Sequence, residues 1–265
     1  MQTRQNKKYK IGLVLSGGGV RGFAHIGALK ALNEAGIYPD IISGVSSGAI
    51  AGAIYADGYE PEEIIQMFQE TKFSKYLEII LPKKGLLKMT GLIKIILQNL
   101  KARTFEELKI PLFVAATDLN NGKCIFFNKG ELLTPLMASA TVPVLFPPVK
   151  IDNKTFVDGG VLNNFPTEPL ENQCEFLIGI HVNPFAYLEN FDSMMSIAER
   201  SFHLSIAAHC TKKIKKCSIF IEPQELKKYK LLEISKINDI YNLGYEETLK
   251  ILAEHKKKIS ELLNE

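Results

Sequence analysis

A serine between two glycines is the residue of this 265-residue chain best placed to do chemistry. A short apolar run ends in Gly44-Val45-Ser46-Ser47-Gly48, and a helix pattern rich in alanine and glycine follows it. This is the G-x-S-x-G pattern of a nucleophile elbow, in which a sharp turn between strand and helix lifts the serine hydroxyl out of the sheet. The pattern predicts Ser46 as a nucleophile for acyl transfer, with the N-terminus of the helix directed at developing negative charge.

A glycine run earlier in the chain supplies a second component of the same chemistry. The strand expected at residues 11–15 ends in Ser16-Gly17-Gly18-Gly19-Val20-Arg21-Gly22, and a helix pattern follows. Backbone N–H groups of glycines between a strand and a helix are free to stabilise an oxyanion. The alternative is nucleotide binding, since Gly17, Gly19 and Gly22 fit G-x-G-x-x-G. The second strand, however, has no acidic residue at its far end to hold a ribose.

A single carboxylate is the third candidate. Asp158 ends the apolar run Thr155-Phe156-Val157 and precedes Gly159-Gly160. The C-terminal ends of parallel strands are where ligand sites form, and a serine nucleophile needs a base within hydrogen-bond reach. Asp158 is predicted either to be that base or to orient a histidine, as in a Ser-His-Asp triad. His181 is the best histidine for a triad, because it ends a predicted strand and follows Asp158 in the chain.

The three motifs, in this order and with these flanking elements, resemble the patatin-like phospholipase family. The resemblance covers about residues 9–185 and includes the stretches 114–119 and 138–148. It implies a lipid acyl hydrolase of the phospholipase A or lysophospholipase type, with a Ser-Asp dyad, no catalytic histidine and no cofactor or metal. A non-catalytic lipid- or nucleotide-binding protein of the same fold is the alternative from another class.

Residue roles follow from the resemblance motif by motif. It makes Ser46 the nucleophile and Asp158 the base. The N–H groups of Gly18 and Gly19, in the run that begins at Gly17, form the oxyanion hole. Arg21 occupies the basic position of the glycine motif, where it holds the loop or binds an anionic head group of the substrate. A dyad is expected to keep its activity at acid pH, whereas a histidine base loses activity between about pH 6 and 7.

Strands and helices alternate along the chain, which predicts an α/β fold of three layers, α/β/α, around a mostly parallel sheet. Strands are expected near 11–15, 40–45, 112–117, 123–128, 154–157, 176–182 and 218–221. Helices are expected near 21–35, 47–58, 61–70, 91–100, 134–140, 195–209, 225–229 and 235–262. We expect a catalytic core at 9–185 and, in the same domain, a helical C-terminal part at 186–265.

The segment 77–100 is the expected specificity element. Its last part carries an apolar stripe on one helical face, with lysines on the other side: Leu92, Ile93, Ile96, Leu97 and Leu100. Such a helix either packs its stripe on the core or lies in a lipid interface. Transient contact with a membrane surface through 77–100 is therefore a hypothesis, beside the lipid ester as the substrate.

Composition restricts the class of protein. The net charge of +3 does not favour nucleic acid as a partner, and 46% hydrophobic residues suffice for a large core. The four cysteines have no metal-ligand spacing, which favours reduced thiols in a cytoplasmic protein. No run of 18 apolar residues occurs, so at most peripheral association with a membrane is expected.

Overall fold

The strands in the described part of the chain lie in one eight-stranded sheet. The computed structural model describes residues 7–70, 99–143, 145–185, 212–231 and 233–264, with isolated positions between 194 and 210. The strands are β1 (Tyr9–Leu15), β2 (Ile41–Val45), β3 (Leu112–Asp118), β4 (Lys123–Phe127), β5 (Val149–Ile151), β6 (Lys154–Asp158), β7 (Cys174–Ile180) and β8 (Ile219–Ile221). The helices in the described ranges are α1 (Phe23–Glu34), α2 (Ser47–Ala56), α3 (Pro61–Glu70), α4 (Leu133–Ser139), α5 (Ile237–Glu254) and α6 (Lys256–Asn264).

Five strands of the sheet run parallel, in the order β3-β2-β1-β7-β8. β4, β5 and β6 join the β3 side in antiparallel pairings. Alternate residues of β1 enter separate cores: Leu13 and Leu15 pack with α1 and α2, whereas Val14 packs with Phe165 and Leu170 on the opposite face. The predicted α/β fold with a mostly parallel sheet is thus confirmed.

Local sequence signals account for several element boundaries. Gly122, with a φ of 62°, follows Asn121 in the hairpin that joins β3 to β4. Pro61 opens α3 with Glu62 and Glu63 in the first turn, at the positive end of the helix dipole. These signals act over a few residues, which is why they can be recognised without the fold.

Some predicted elements differ from the structure. β5 was not predicted, because its three residues are too few to form a periodic pattern. The long helix expected at 235–262 is divided into α5 and α6 at His255, whose Nδ1–H donates to the Ile251 carbonyl over 3.0 Å. The helix expected at 225–229 is a 3₁₀ turn, Gln224–Lys228. Most of the helix expected at 195–209 and most of the one expected at 91–100 lie outside the described residues.

The C-terminal part packs directly on the first half of the chain. β8 extends the sheet beside β7, and α5 crosses α1 where both helices carry a glycine. A Cβ at Gly27 would lie 2.0 Å from the Tyr241 carbonyl oxygen, and a Cβ at Gly244 would lie 2.0 Å from the Ala24 carbonyl oxygen. The two helix backbones therefore approach too closely for any side chain at either position.

Candidate active site

Two strands that run toward each other bring Ser46 and Asp158 together. β2 pairs with β3 from Leu112 to Ala115, and β6 pairs with the next residues of β3, from Ala116 onward. β4 occupies the other edge of β3 along these residues, so β2 and β6 share one edge. β2 is parallel to β3 and β6 is antiparallel, so their C-terminal ends meet. The expectation that a parallel strand carries Asp158 is wrong, because β6 arrives from the opposite direction.

Ser46 occupies the strained turn that a nucleophile elbow requires. Its φ of 54° and ψ of −126° lie outside the regions that residues with a Cβ normally adopt, at a cost of about 1–3 kcal/mol. The turn is possible because β2 and α2 approach closely: a Cβ at Gly44 would lie 2.7 Å from the Gly48 carbonyl oxygen. Ser46 is 7% exposed and precedes the first turn of α2. The predicted elbow geometry is present.

Asp158 is a buried carboxylate next to this serine. It is 3% exposed, and its Oδ1 accepts a hydrogen bond of 2.7 Å from the Gly160 amide. Burial raises the pKa of Asp158 to about 6, against the lowering effects of hydrogen bonding to the Ser46 side chain and to Gly160. The carboxylate is therefore a stronger base than an ordinary aspartate, yet it is largely ionised at neutral pH.

The raised pKa removes the pH criterion that separates a dyad from a triad. Activity that depends on ionised Asp158 is expected to fall as the pH drops through about 6. A histidine base of ordinary pKa would lose activity in nearly the same range. The expectation that activity persists to acid pH stays a prediction, and burial of Asp158 moves the expected fall in activity up to about pH 6.

The glycine loop lies beside the serine with its amides free. The N–H groups of Gly17, Gly18 and Gly19 donate to no group in the part of the chain that the structure describes. A Cβ on Gly17 would lie 3.0 Å from the Ser46 Cβ, which places the loop against the nucleophile. The Gly17 carbonyl accepts hydrogen bonds from Asn183 Nδ2, at 2.7 Å, and from Asn164 Nδ2, at 3.3 Å. Because the Gly17 carbonyl is held by the two asparagines on one side of the loop, the N–H groups of the loop can point to the opposite side.

Gly18 and Gly19 require glycine for different reasons. Gly19 has a φ of 55°, which favours glycine, and a Cβ there would lie 2.5 Å from the Leu231 carbonyl oxygen. A Cβ at Gly18 would instead lie 2.4 Å from Val182 Cγ2. Packing against Val182 therefore requires glycine at position 18.

Arg21 donates hydrogen bonds to two residues that lie beside the glycine loop, Tyr229 and Asn183. Its Nε and Nη2 donate to the Tyr229 carbonyl over 2.9 and 2.6 Å, and its Nη1 donates to Asn183 Oδ1 over 3.1 Å. The same Asn183 side chain holds the Gly17 carbonyl. Arg21 thus connects the glycine loop to the C-terminal part of the chain.

The histidines that the structure describes have partners other than Asp158. His181 Nδ1 lies 2.7 Å from Glu222 Oε1. Burial lowers the pKa of His181, but Cys210 and Glu222 raise it more strongly, to about 9. His25 Nε2–H donates to the Ser16 carbonyl over 2.8 Å, and burial lowers its pKa to about 4. His203 and His209 lie outside the described residues.

Three polar side chains around the site were not predicted as functional. Ser139 Oγ accepts a hydrogen bond from the Ser46 amide. The side chains of Asn164 and Asn183 donate hydrogen bonds to the Gly17 carbonyl of the glycine loop. Asn164 and Ser139 stand in or near motif stretches, but Asn183 follows a strand with no motif around it. Position in a motif was therefore the one signal available, and it did not reveal which atoms these side chains contact.

The comparisons with known proteins agree with this geometry. The family model for patatin-like phospholipases matches residues 13–171, which is more than half of the chain. An uncharacterized NTE family protein of Mycobacterium tuberculosis is 28% identical over 186 residues, which cover 69% of this chain and 52% of that protein. The neuropathy target esterase sws of Drosophila melanogaster is 34% identical over 170 residues, or 61% of this chain and 12% of that protein.

A solved structure supports the fold independently. Human GIVD cytosolic phospholipase A2 superimposes with a TM-score of 0.56 at 8% identity, over 97% of this chain and 63% of that one. At this identity the likeness concerns the fold alone. The chain spans about half the length of the mycobacterial relative and a smaller share of the insect one. The family model matches most of the core, and the three motifs meet at the C-terminal ends of their strands. This chain therefore belongs to the patatin-like phospholipase family.

Proposed function

We propose that this chain hydrolyses carboxylic esters of lipids, as a phospholipase A or lysophospholipase, through a Ser46–Asp158 dyad. The observation that carries the proposal is a strained serine at the end of β2 next to a buried carboxylate at the end of β6, beside a glycine loop whose N–H groups have no partner among the described residues. A lipid substrate is supported by the family and by the printed names of an esterase and a phospholipase among the similar proteins.

Acylation begins with transfer of the Ser46 proton. Ionised Asp158 accepts this proton while Ser46 Oγ attacks the ester carbonyl carbon. The carbonyl electrons move to the oxygen, and the N–H groups of Gly18 and Gly19 donate to it, with Gly17 in the same loop. The positive end of the α2 dipole adds to the stabilisation. When the carbonyl re-forms, the C–O bond to the alcohol breaks and Asp158 returns the proton to the leaving oxygen.

Deacylation uses the same groups in reverse. Asp158 accepts a proton from a water molecule, whose oxygen attacks the acyl carbon of the Ser46 ester. The oxyanion forms again in the glycine loop. Its collapse breaks the bond to Ser46 Oγ, which takes the proton back from Asp158, and the fatty acid leaves. The chain thus needs no metal or cofactor in the proposed mechanism.

Arg21 acts through the loop in this proposal. Its bonds to Tyr229 and Asn183 support the loop-holding role among the two that the family resemblance implies. Binding of an anionic head group by Arg21 stays a prediction. So does membrane contact through 77–100, most of which lies outside the described residues.

The cytoplasm is the proposed compartment. Cys124, Cys174, Cys210 and Cys217 are all free thiols, which is typical of reducing conditions. Among the described residues, no helix combines the length and the apolar character needed to cross a bilayer.

Covalent labelling tests the proposed function. A fluorophosphonate reacts with an activated serine, so the parent protein and a Ser47→Ala variant should both be labelled at Ser46, as located by peptide mass analysis. A Ser46→Ala variant should lose labelling and lose ester hydrolysis by at least about 10⁴-fold in a screen of lipid classes. A label on Ser47, or a parent protein that binds lipid without reacting, would contradict the proposal and favour a binding protein.

A further inference from the structure

The buried hydroxyl of Ser139 lies between the nucleophile and the sheet. Ser139 is the last residue of α4 and is 0% exposed. The Ser46 amide donates to Ser139 Oγ over 2.8 Å, and Ser139 Oγ lies 2.7 Å from the Ala115 carbonyl oxygen. A carbonyl can only accept, so the hydroxyl proton points to Ala115 and the hydroxyl oxygen accepts from Ser46. The direction of both hydrogen bonds is thereby fixed.

This hydroxyl replaces a bond of the sheet. Every second amide of β2 faces β3, and the Ile42 amide donates to the Pro111 carbonyl over 2.9 Å. The register pairs Val45 with Ala115, so the same alternation would direct the Ser46 amide to the Ala115 carbonyl. The elbow turns the chain away at this point, and Ser139 Oγ bridges the two groups instead. Ser46 is therefore still bonded to β3 although its backbone has left the strand.

The same segment also holds the base. Two residues after Ser139, the Thr141 carbonyl accepts the Asp158 amide over 2.8 Å. Gly159 packs against Ala115 as well, because a Cβ there would lie 2.3 Å from the Ala115 carbonyl oxygen. One short stretch of chain thus bonds to the backbone of both members of the dyad.

We infer that Ser139 is a positioning residue for the hydrolysis proposed above, and that its hydroxyl holds the Ser46 backbone in the strained turn from which Oγ reaches Asp158. The inference rests on the proposed function. It adds the requirement that one side chain at this point both accepts a hydrogen bond from the Ser46 amide and donates one to the Ala115 carbonyl. Alanine at this position leaves the Ser46 amide and the Ala115 carbonyl without their shared partner. The strained turn then relaxes, and the Ser46 hydroxyl moves out of line with the base.

The experiment compares Ser139→Ala with Ser43→Ala. Ser43 is also 0% exposed and also donates to a carbonyl, that of Pro166, over 2.7 Å, but the Ser46 amide bonds to Ser139 and not to Ser43. Ser139→Ala should lower kcat, and the rate of fluorophosphonate labelling, by about 10²-fold with KM nearly unchanged, because a misplaced reacting atom costs about this much. Ser43→Ala should stay within about threefold of the parent at a similar loss of melting temperature.

The pH profile supplies a readout that mere loss of stability does not move. Hydrogen bonding to Ser46 lowers the pKa of Asp158, so a displaced serine should shift the acid limb of kcat/KM to higher pH in Ser139→Ala. An acid limb at the parent position, or a kcat within threefold of Ser43→Ala, overturns the inference. If Ser139→Ala does not fold, Ser139→Cys, with a weaker hydrogen-bonding group, should lose about tenfold in kcat, and parental activity there overturns it.

Failure of the proposed function can be told apart from failure of the Ser139 inference. If the parent neither hydrolyses lipid esters nor reacts with the fluorophosphonate, the dyad proposal is wrong. The inference is then decided by crystal structures of the parent and Ser139→Ala. A Ser46 φ that stays positive without the hydroxyl overturns it, and a φ that returns to negative values supports a positioning role for the backbone alone.

Discussion

Two pairs of side chains at strand ends, Ser46 with Asp158 and His181 with Glu222, differ in what surrounds their titratable groups. Ser46 and Asp158 meet where β2 and β6 end, whereas His181 and Glu222 follow the adjacent strands β7 and β8. Burial raises the pKa of Asp158 to about 6. For His181, burial lowers the pKa, but Cys210 and Glu222 outweigh it and raise the pKa to about 9.

The difference shows which pair can exchange a proton at neutral pH. An Asp158 carboxylate with a pKa near 6 is ionised at pH 7 and can still take up a proton during reaction. Cys210 and Glu222 raise the pKa of His181, which favours the protonated imidazole, and a protonated imidazole cannot act as a general base. The histidine thus lies beside a carboxylate as an ion pair, whereas the proposed mechanism uses the carboxylate that has no cationic partner among the described residues.

The largest difference between the two pairs is expected when one member of each is replaced and activity is measured. Asp158→Asn keeps the shape of the side chain but removes the base, so ester hydrolysis should fall by about 10⁴-fold. His181→Ala should stay within about tenfold of the parent, measured as kcat/KM on folded protein. A folded His181→Ala variant as inactive as Ser46→Ala would show that the histidine is the base and that the two pairs have been assigned wrongly.

The glycine loop should respond to a single added side chain. Gly18→Val places its Cβ against the Val182 side chain and displaces the loop, so kcat should fall by about 10²–10³-fold, the cost of one lost oxyanion donor. Gly122→Asn is the control, because a Cβ there meets nothing within 4 Å and asparagine tolerates the φ of 62°. Near-parental kcat in a folded Gly18→Val protein would place the oxyanion hole elsewhere.

Stability should change in the direction opposite to activity at Asp158. Its folded pKa of about 6 exceeds the ordinary 3.8, so the ionised carboxylate destabilises the fold once the pH rises through this range. Asp158→Asn should therefore increase the free energy of unfolding by about 3 kcal/mol at pH 8, at about 1.4 kcal/mol per pKa unit. The gain should vanish as the pH falls from 6 to below 4, as urea denaturation at a series of pH values would measure.

Glu222→Gln sharpens the contrast as the matched substitution in the other pair. The raised pKa of His181 means that the pair stabilises the fold fully below about pH 6.5 and loses this contribution as the pH rises through about 9. Glu222→Gln should therefore be less stable than the parent at pH 6, where Asp158→Asn is not. Equal destabilisation by the two amides would mean that both carboxylates are structural.

Several features of this protein follow from local sequence. Gly44, Ser46 and Gly48 predict the elbow, and the run from Gly17 to Gly19 predicts a loop with free amides, because each pattern acts within a few residues of chain. The apolar runs predict seven of the strands for the same reason. Residue types at short spacing also single out Asp158 as a candidate base, although not its role.

Tertiary structure decided what those residues can do. The antiparallel approach of β6 brings Asp158 to Ser46, and strand pairing across long sequence separations has no local pattern. The pKa of Asp158 depends on burial by distant parts of the chain, and the partner of His181 is Glu222, 41 residues away. Ser139 reads as an ordinary helix-end serine until the fold places its hydroxyl between the Ser46 amide and the Ala115 carbonyl, because hydrogen bonds depend on distance in space and not along the sequence.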